Sequence, residues 1–98
     1  MDVEKSNAAI KDGTLPKLME VAAERLKPEA SYFFAAHGKR SAMFIFDLKD
    51  SSDIPWIAEP WFMGVGATVE FFPVMNAADL KTGLEKAAKD RVGVPAGV

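Results

Sequence analysis

The sequence predicts an α+β domain, and three observations carry that prediction. Apolar residues at helical spacing occupy its first third, a paired run of aromatic and β-branched residues follows, and a capped amphipathic segment lies near its end. With 98 residues and 49% apolar content the chain is sized for one core, so residues 1–98 are expected to form a single domain.

Asp2 to Lys11 is polar with a weak helical pattern, and Asp12-Gly13 stops it with a residue free to adopt positive φ. Thr14 is then placed to cap a second helix. Its apolar residues Leu15, Leu18, Met19, Ala22 and Leu26 form one stripe, with Lys17, Glu20, Glu24 and Arg25 away from it. Pro28 closes that helix, because proline restricts the residue before it and has no N–H to donate.

From Ser31 to Leu48 the pattern is β: SYFFAAH, a turn on Gly38-Lys39-Arg40, then SAMFIFDL. Alternation puts Tyr32, Phe34 and Ala36 on one face of the hairpin and Phe33, Ala35 and His37 on the other. In the second strand Met43 and Ile45 oppose Ala42, Phe44 and Phe46. Both faces are therefore apolar, whereas a sheet in a small monomer usually keeps one wet side. The chain's own helices suffice for one face, which points to a second copy in a two-fold dimer for the other. The alternative is that the remaining helices wrap both sides.

The stretch IPWIAEPWFMG, residues 54–64, holds both tryptophans and two of the six prolines. Asp50-Ser51-Ser52-Asp53 is typical of a helix start, Pro55 suits a first turn, and Pro60 is expected to break the helix in two. Ile54, Ile57, Ala58, Trp61 and Val65 share one face; Trp56, Glu59, Pro60 and Met63 lie on another. Trp61, Phe62 and Ile57 are expected to pack on the sheet. Trp56 and Met63 are left for a partner or a cleft, with partner contact preferred because a dimer already requires apolar surface.

Gly64 and Gly66 lead into ATVEFFPVM, read as a third strand whose Pro73 marks an edge or an end. A last helix opens at Asn76, with Asp79 three residues on and Met75 and Leu80 placed to staple it. Ala77, Leu80, Leu84, Ala87, Ala88 and the stem of Arg91 form its stripe, and VGVPAGV reads as a frayed tail. The order helix, hairpin, helix, strand, helix is the ferredoxin-like βαββαβ pattern with an extra C-terminal helix, provided a strand precedes the first helix. No such strand is visible.

Twelve basic and fourteen acidic side chains, without a run of either sign, give no field for phosphates or anionic lipid, so nucleic acid and membrane are not expected as partners. No apolar run approaches the roughly 20 residues of a membrane span. The absence of cysteine removes disulfides and thiolate chemistry and fits a reducing compartment, so a cytoplasmic location is expected.

The segments VEKSNAAIKDGTLPK, KPEASYFFAAHGKRSAMFIFDLKDSSDIP, AEPWF and ATVEFFPVMNAADL together resemble a family of small, uncharacterised bacterial proteins in the dimeric α+β barrel group. The likeness covers about residues 3–85. It implies a ferredoxin-like homodimer in which two sheets face each other around a shared interior. It also implies a short apolar strand ahead of VEKSNAAIKDG, where this sequence starts: either the start was chosen late, or the strand's place is taken by the tail, by another chain or by nothing. The group includes muconolactone isomerases, cofactor-free monooxygenases, stress-response barrels and haem-binding relatives, and fold likeness alone does not choose among them.

Four residues are candidates for a small-molecule site: Tyr32, His37, Trp56 and Glu70. His37, the one histidine, has the ordinary pKa of a general base, but no second His and no Cys accompanies it for a metal, so its structural use is the stronger expectation. Haem on one axial histidine stays formally open. Glu70 sits mid-strand among apolar neighbours; buried alone it would titrate high and exchange protons, and exposed it is an ordinary carboxylate. Tyr32 and Thr68 offer hydroxyls. No nucleophile elbow and no phosphate-binding fingerprint occurs, GVG at 64–66 being too short. The expected function is thus a metal-free, cofactor-free barrel that binds or processes a small apolar or aromatic molecule, the rival being a non-catalytic interaction protein. An enclosed pocket of roughly 300 Å³ or more, with Glu70 or His37 aimed into it, would favour the first.

Overall fold

A computed structural model of the chain describes residues 1–90; Arg91 and the VGVPAGV tail lie outside the described residues. The architecture is α+β: helices α1 (Val3–Asp12) and α2 (Thr14–Leu26), hairpin strands β1 (Ala30–Ala36) and β2 (Lys39–Ile45), then helices α3 (Asp53–Val65) and α4 (Ala77–Asp90).

Local chemistry sets the helix ends. The Asp2 carboxylate accepts the Lys5 N–H at the start of α1, and Gly13 ends it at φ 84°, a left-handed turn that returns its N–H to the Ile10 carbonyl. Thr14 is the first residue of α2 rather than its cap. The Asp12 carboxylate accepts the Thr14 N–H at 2.9 Å and does the capping, a short Asx turn made feasible by the glycine between them. Of the expected α2 stripe, Leu15, Ala22 and Leu26 are buried and Leu18 and Met19 half-buried.

Helix α3 is continuous, not broken. Proline at position 60 has no N–H for the carbonyl four residues back, that of Trp56. The guanidinium of Arg25, on α2, donates to that carbonyl at 3.2 Å and fills the vacancy. Ala58 and Val65 are buried on the expected face of α3, while Phe62, expected to pack on the sheet, is 42% exposed. Gly64 sets the α2–α3 spacing: a Cβ there would stand 2.9 Å from a Leu18 methyl. The core proper is small, Ala9, Leu15 and Val65 with Met1, Leu18, Met19, Trp61 and Ala67 around it, where α1, α2 and α3 meet.

The strands pair antiparallel with Tyr32 opposite Met43 and Phe33 opposite Ala42. The turn between them is His37-Gly38, at φ 54° and 71°, so Lys39 and Arg40 belong to β2 and not to the loop. Two central residues at positive φ give the mirror-image turn whose twist matches that of the strands. The hairpin's faces differ in cover. Phe44 lies 6.2 Å from Trp61 of α3 and 6.2 Å edge-on from Phe33, and Arg40 reaches α1, donating to Ser6 Oγ at 2.8 Å and Asn7 Oδ1 at 2.6 Å. That cover is partial, since Phe33 is itself 59% exposed, and the opposite face keeps Tyr32, Phe34 and Met43 exposed at 59%, 46% and 49%.

The expected third strand does not form. From Ala67 to Asn76 the backbone forms neither helix nor strand, and among the described residues the sheet has two strands. Since α1 starts at Val3, no strand among the described residues stands between the hairpin and this segment, which is the position a ferredoxin-like first strand would take. Helix α4 opens as expected on a reciprocal cap: Asn76 Oδ1 accepts the Asp79 N–H at 2.8 Å, and Asp79 Oδ2 accepts the Asn76 N–H at 3.3 Å. Met75, Leu80 and Leu84 are exposed, and α4 packs against none of the other elements. The radius of gyration is accordingly 18.1 Å, where a compact domain of this length would give about 13 Å. Among the described residues no helix is long and apolar enough to cross a membrane.

Candidate functional site

The four candidate residues fall on four different parts of the molecule. Tyr32 stands on β1, on the open face of the hairpin, opposite Met43 and two positions from Phe34. Its ring belongs to an apolar surface, and its hydroxyl has no bond within the protomer. His37 occupies the first position of the β1–β2 turn at φ 54° and is exposed. That conformation is uncommon outside glycine and is most accessible to Asn, Asp and His, so the turn itself accounts for the residue.

Trp56 is half-exposed on α3, as the sequence places it, and one face of its ring is taken by Arg25. The Arg25 guanidinium carbon sits 4.3 Å above its ring while the same side chain donates to its carbonyl. One arginine thus covers the indole face and replaces the hydrogen bond that Pro60 removes. Glu70 lies in the extended segment and is exposed. The structure gives it the solvated role, not that of a buried proton carrier.

Two concavities among the described residues bear on a site. One, walled by Leu18, Ala22, Arg25, Ile57 and Trp61, holds only about 10 Å³, room for a single water-sized probe. The other is an open cleft of about 360 Å³ between α1 and the end of α3, with Lys5 and Asp12 against Phe62, Met63 and Gly66. None of the four candidates lines it. Its size is in the range of small-molecule sites, but it is a shallow surface feature and not the enclosed chamber such sites usually form.

The electrostatics are those of helix ends. Hydrogen bonds from the Thr14 side chain and backbone hold the Asp12 carboxyl below its ordinary pKa, and bonds from the Ser52 backbone and side chain do the same for Asp50. Both are exposed caps, and nothing places a nucleophile beside them. Among the described residues no group of three His, Cys, Asp or Glu side chains is gathered for a metal ion. No polar side-chain atom of the described residues is buried without a hydrogen bond.

What sequence reasoning missed is Arg25 and Arg40. Both bridge elements far apart in the chain, Arg25 to α3 and Arg40 to α1, through positions that read locally as solvated charge. A signal existed for the first: a proline within an otherwise helical stretch requires some other donor for the carbonyl it abandons. Exposed apolar side chains gather on the hairpin face of Tyr32, Phe34 and Met43 and again along Phe72, Val74, Met75, Leu80 and Leu84. Comparison of the chain with protein-family models, with curated proteins and with solved structures gives no match.

Proposed function

We propose that the chain works as a homodimer of the ferredoxin-like, dimeric α+β barrel kind, in which the bare hairpin faces of two copies meet around a shared interior that takes up a small apolar or aromatic molecule. The observation that carries this reading is the exposure of Tyr32, Phe34 and Met43 together on one side of the hairpin, with Phe33 on the other side, where Phe44 meets Trp61, exposed as well. A contiguous apolar face of this sort marks an interaction surface in a soluble protein. The protomer alone offers no enclosed chamber, so a ligand site of this kind arises from pairing. Its apolar walls and lone hydroxyl suit an uncharged or aromatic molecule, without a metal or nucleotide.

The test is paired. Light scattering behind a sizing column, from about 1 to 100 μM, should give twice the chain mass, and Phe34→Asp should shift the species toward monomer. Thermal-shift screening with aromatic acids, lactones and quinones should then raise Tm for at least one class, since a ligand selective for the native state stabilises it. A monomer throughout the range sinks the proposal.

The second reading, a non-catalytic interaction protein, is favoured by the scatter of Tyr32, His37, Trp56 and Glu70 over separate surfaces. It predicts a dimer that no compound stabilises. No reaction is assigned under either reading; a cofactor-free isomerase or monooxygenase would need acid–base groups that converge, and these do not.

A further inference from the structure

We infer that the two copies exchange strands: residues 68–74 of each copy add to the free edge of the other copy's β2. This rests on the homodimer proposed above and names what holds it together besides the apolar faces.

The first ground is an inventory of backbone groups. Among the described residues Thr68 to Met75 makes no backbone hydrogen bond, although the segment lies in no helix and is rich in β-formers. Such a segment in a folded protein finds partners for its N–H and C=O groups. The second is a matching edge. In an antiparallel hairpin closed by a two-residue turn, alternate residues point their backbone groups away from the partner strand. Here Ala36 and Lys39 flank the turn, which turns the groups of Arg40, Ala42 and Phe44 outward. The Arg40 carbonyl confirms that direction, since it accepts a bond from the Met1 ammonium at 2.8 Å. Beyond that point the edge of β2 is an open template of the sort that recruits another strand.

The third ground is sidedness. Pro73 lacks an N–H, so the edge carrying residues 67, 69, 71 and 73 is already interrupted. The other edge, with Thr68, Glu70, Phe72 and Val74, is complete, and it alone offers a full ladder. The donated segment and β2 are also matched in length, each seven residues.

The occupant is a second copy because of area. The chain exposes 7586 Å²; a folded monomer of this size exposes about 5,500 Å², leaving an excess of roughly 2,100 Å² per copy. Standard interfaces bury about 800 Å² per partner, and obligate homodimers substantially more. Reciprocal exchange draws on the excess of both copies at once, and it carries α4, which has no seat on its own protomer, across to the other.

Two measurements on the full chain decide it. Glu70→Pro removes an N–H from the complete edge, Phe71→Pro from the edge Pro73 has already interrupted, and Glu70→Ala and Phe71→Ala control for the side chains. Exchange predicts that Glu70→Pro dimerises at least tenfold more weakly than Glu70→Ala, while Phe71→Pro stays within about threefold of Phe71→Ala. Amide hydrogen exchange should show Thr68, Glu70 and Phe72 protected above the dimer dissociation constant and unprotected well below it, with Val69 and Phe71 fast throughout. A dimer in which the two proline variants behave alike overturns strand exchange and leaves the homodimer standing. Protection that persists in the monomer also overturns it, because the segment then pairs within its own chain. A chain monomeric at every concentration overturns both.

Discussion

Replacing Pro60 with alanine should stabilise the protein and, at the same time, make Arg25 less important. With proline at 60 the Trp56 carbonyl has lost its helical donor, and Arg25 supplies one at 3.2 Å while lying 4.3 Å over the indole ring. Removing Arg25 in that background forfeits a hydrogen bond from a charged group, about 1 kcal/mol at this exposed site where the general range runs higher. It also forfeits a cation–π contact of about 0.5–1 kcal/mol. Arg25→Ala should therefore cost about 1.5–2 kcal/mol. With alanine at 60 the helix supplies its own N–H to Trp56, so the same Arg25→Ala change should cost only the ring contact, about 0.5–1 kcal/mol. The difference, a coupling of about 1 kcal/mol, is what a double-mutant cycle reads. Urea unfolding of the four variants at one fixed protein concentration is the assay, because association makes apparent stability concentration-dependent. Additivity within about 0.3–0.5 kcal/mol would refute the claim that Arg25 stands in for the missing amide.

Two further outcomes follow from the turn and the caps. Gly38 stands at φ 71° with open space where a Cβ would go, so Gly38→Ala should cost about 1–2 kcal/mol through backbone strain alone. His37→Asn should leave the melting temperature within about 2 °C, since asparagine accepts the left-handed conformation at least as readily; a large loss in ligand response from that substitution would restore His37 as a site residue. The Asp12 pKa is lowered on folding by its bonds from Thr14, so its contribution is present above the ordinary carboxylate range and is lost as pH falls through the folded value. Asp12→Ala should accordingly melt below the parent protein at pH 6, with the gap closing below about pH 4. A gap that holds constant to pH 2.5 would show that the carboxylate charge plays no part.

The parts of this fold that were legible in the sequence are those whose cause lies within a few residues. The stripe of Leu15, Ala22 and Leu26, the Asn76–Asp79 cap and the β character of residues 31–45 are all short-range, and each stands where the pattern puts it. The turn was misplaced by two residues because Gly38-Lys39-Arg40 looks like a loop by composition. What closes the hairpin is a pair of positive φ angles that histidine tolerates, and composition does not display them.

The failures share a different cause. Whether α3 breaks at Pro60 depends on a guanidinium 31 positions from Trp56, so no window of sequence holds both halves of the answer. The same holds for residues 68–74: the residues have every local mark of a strand, yet a strand exists only if a second edge comes to it. Within one protomer none does. The candidate site is legible only in part for that reason too. Tyr32, His37, Trp56 and Glu70 stand out by side-chain chemistry, which is local, while a site is a convergence of side chains, which is not. If strand exchange is correct, the convergence lies between copies: Tyr32 passes from solvent to the shared interior, and Glu70 from solvent to the middle of a ladder beside Ala42. The Glu70 amide chemical shift should then move with protein concentration across the dimerisation range. An amide shift independent of concentration in a proven dimer would mean that residues 68–74 stay in water in the paired state as well.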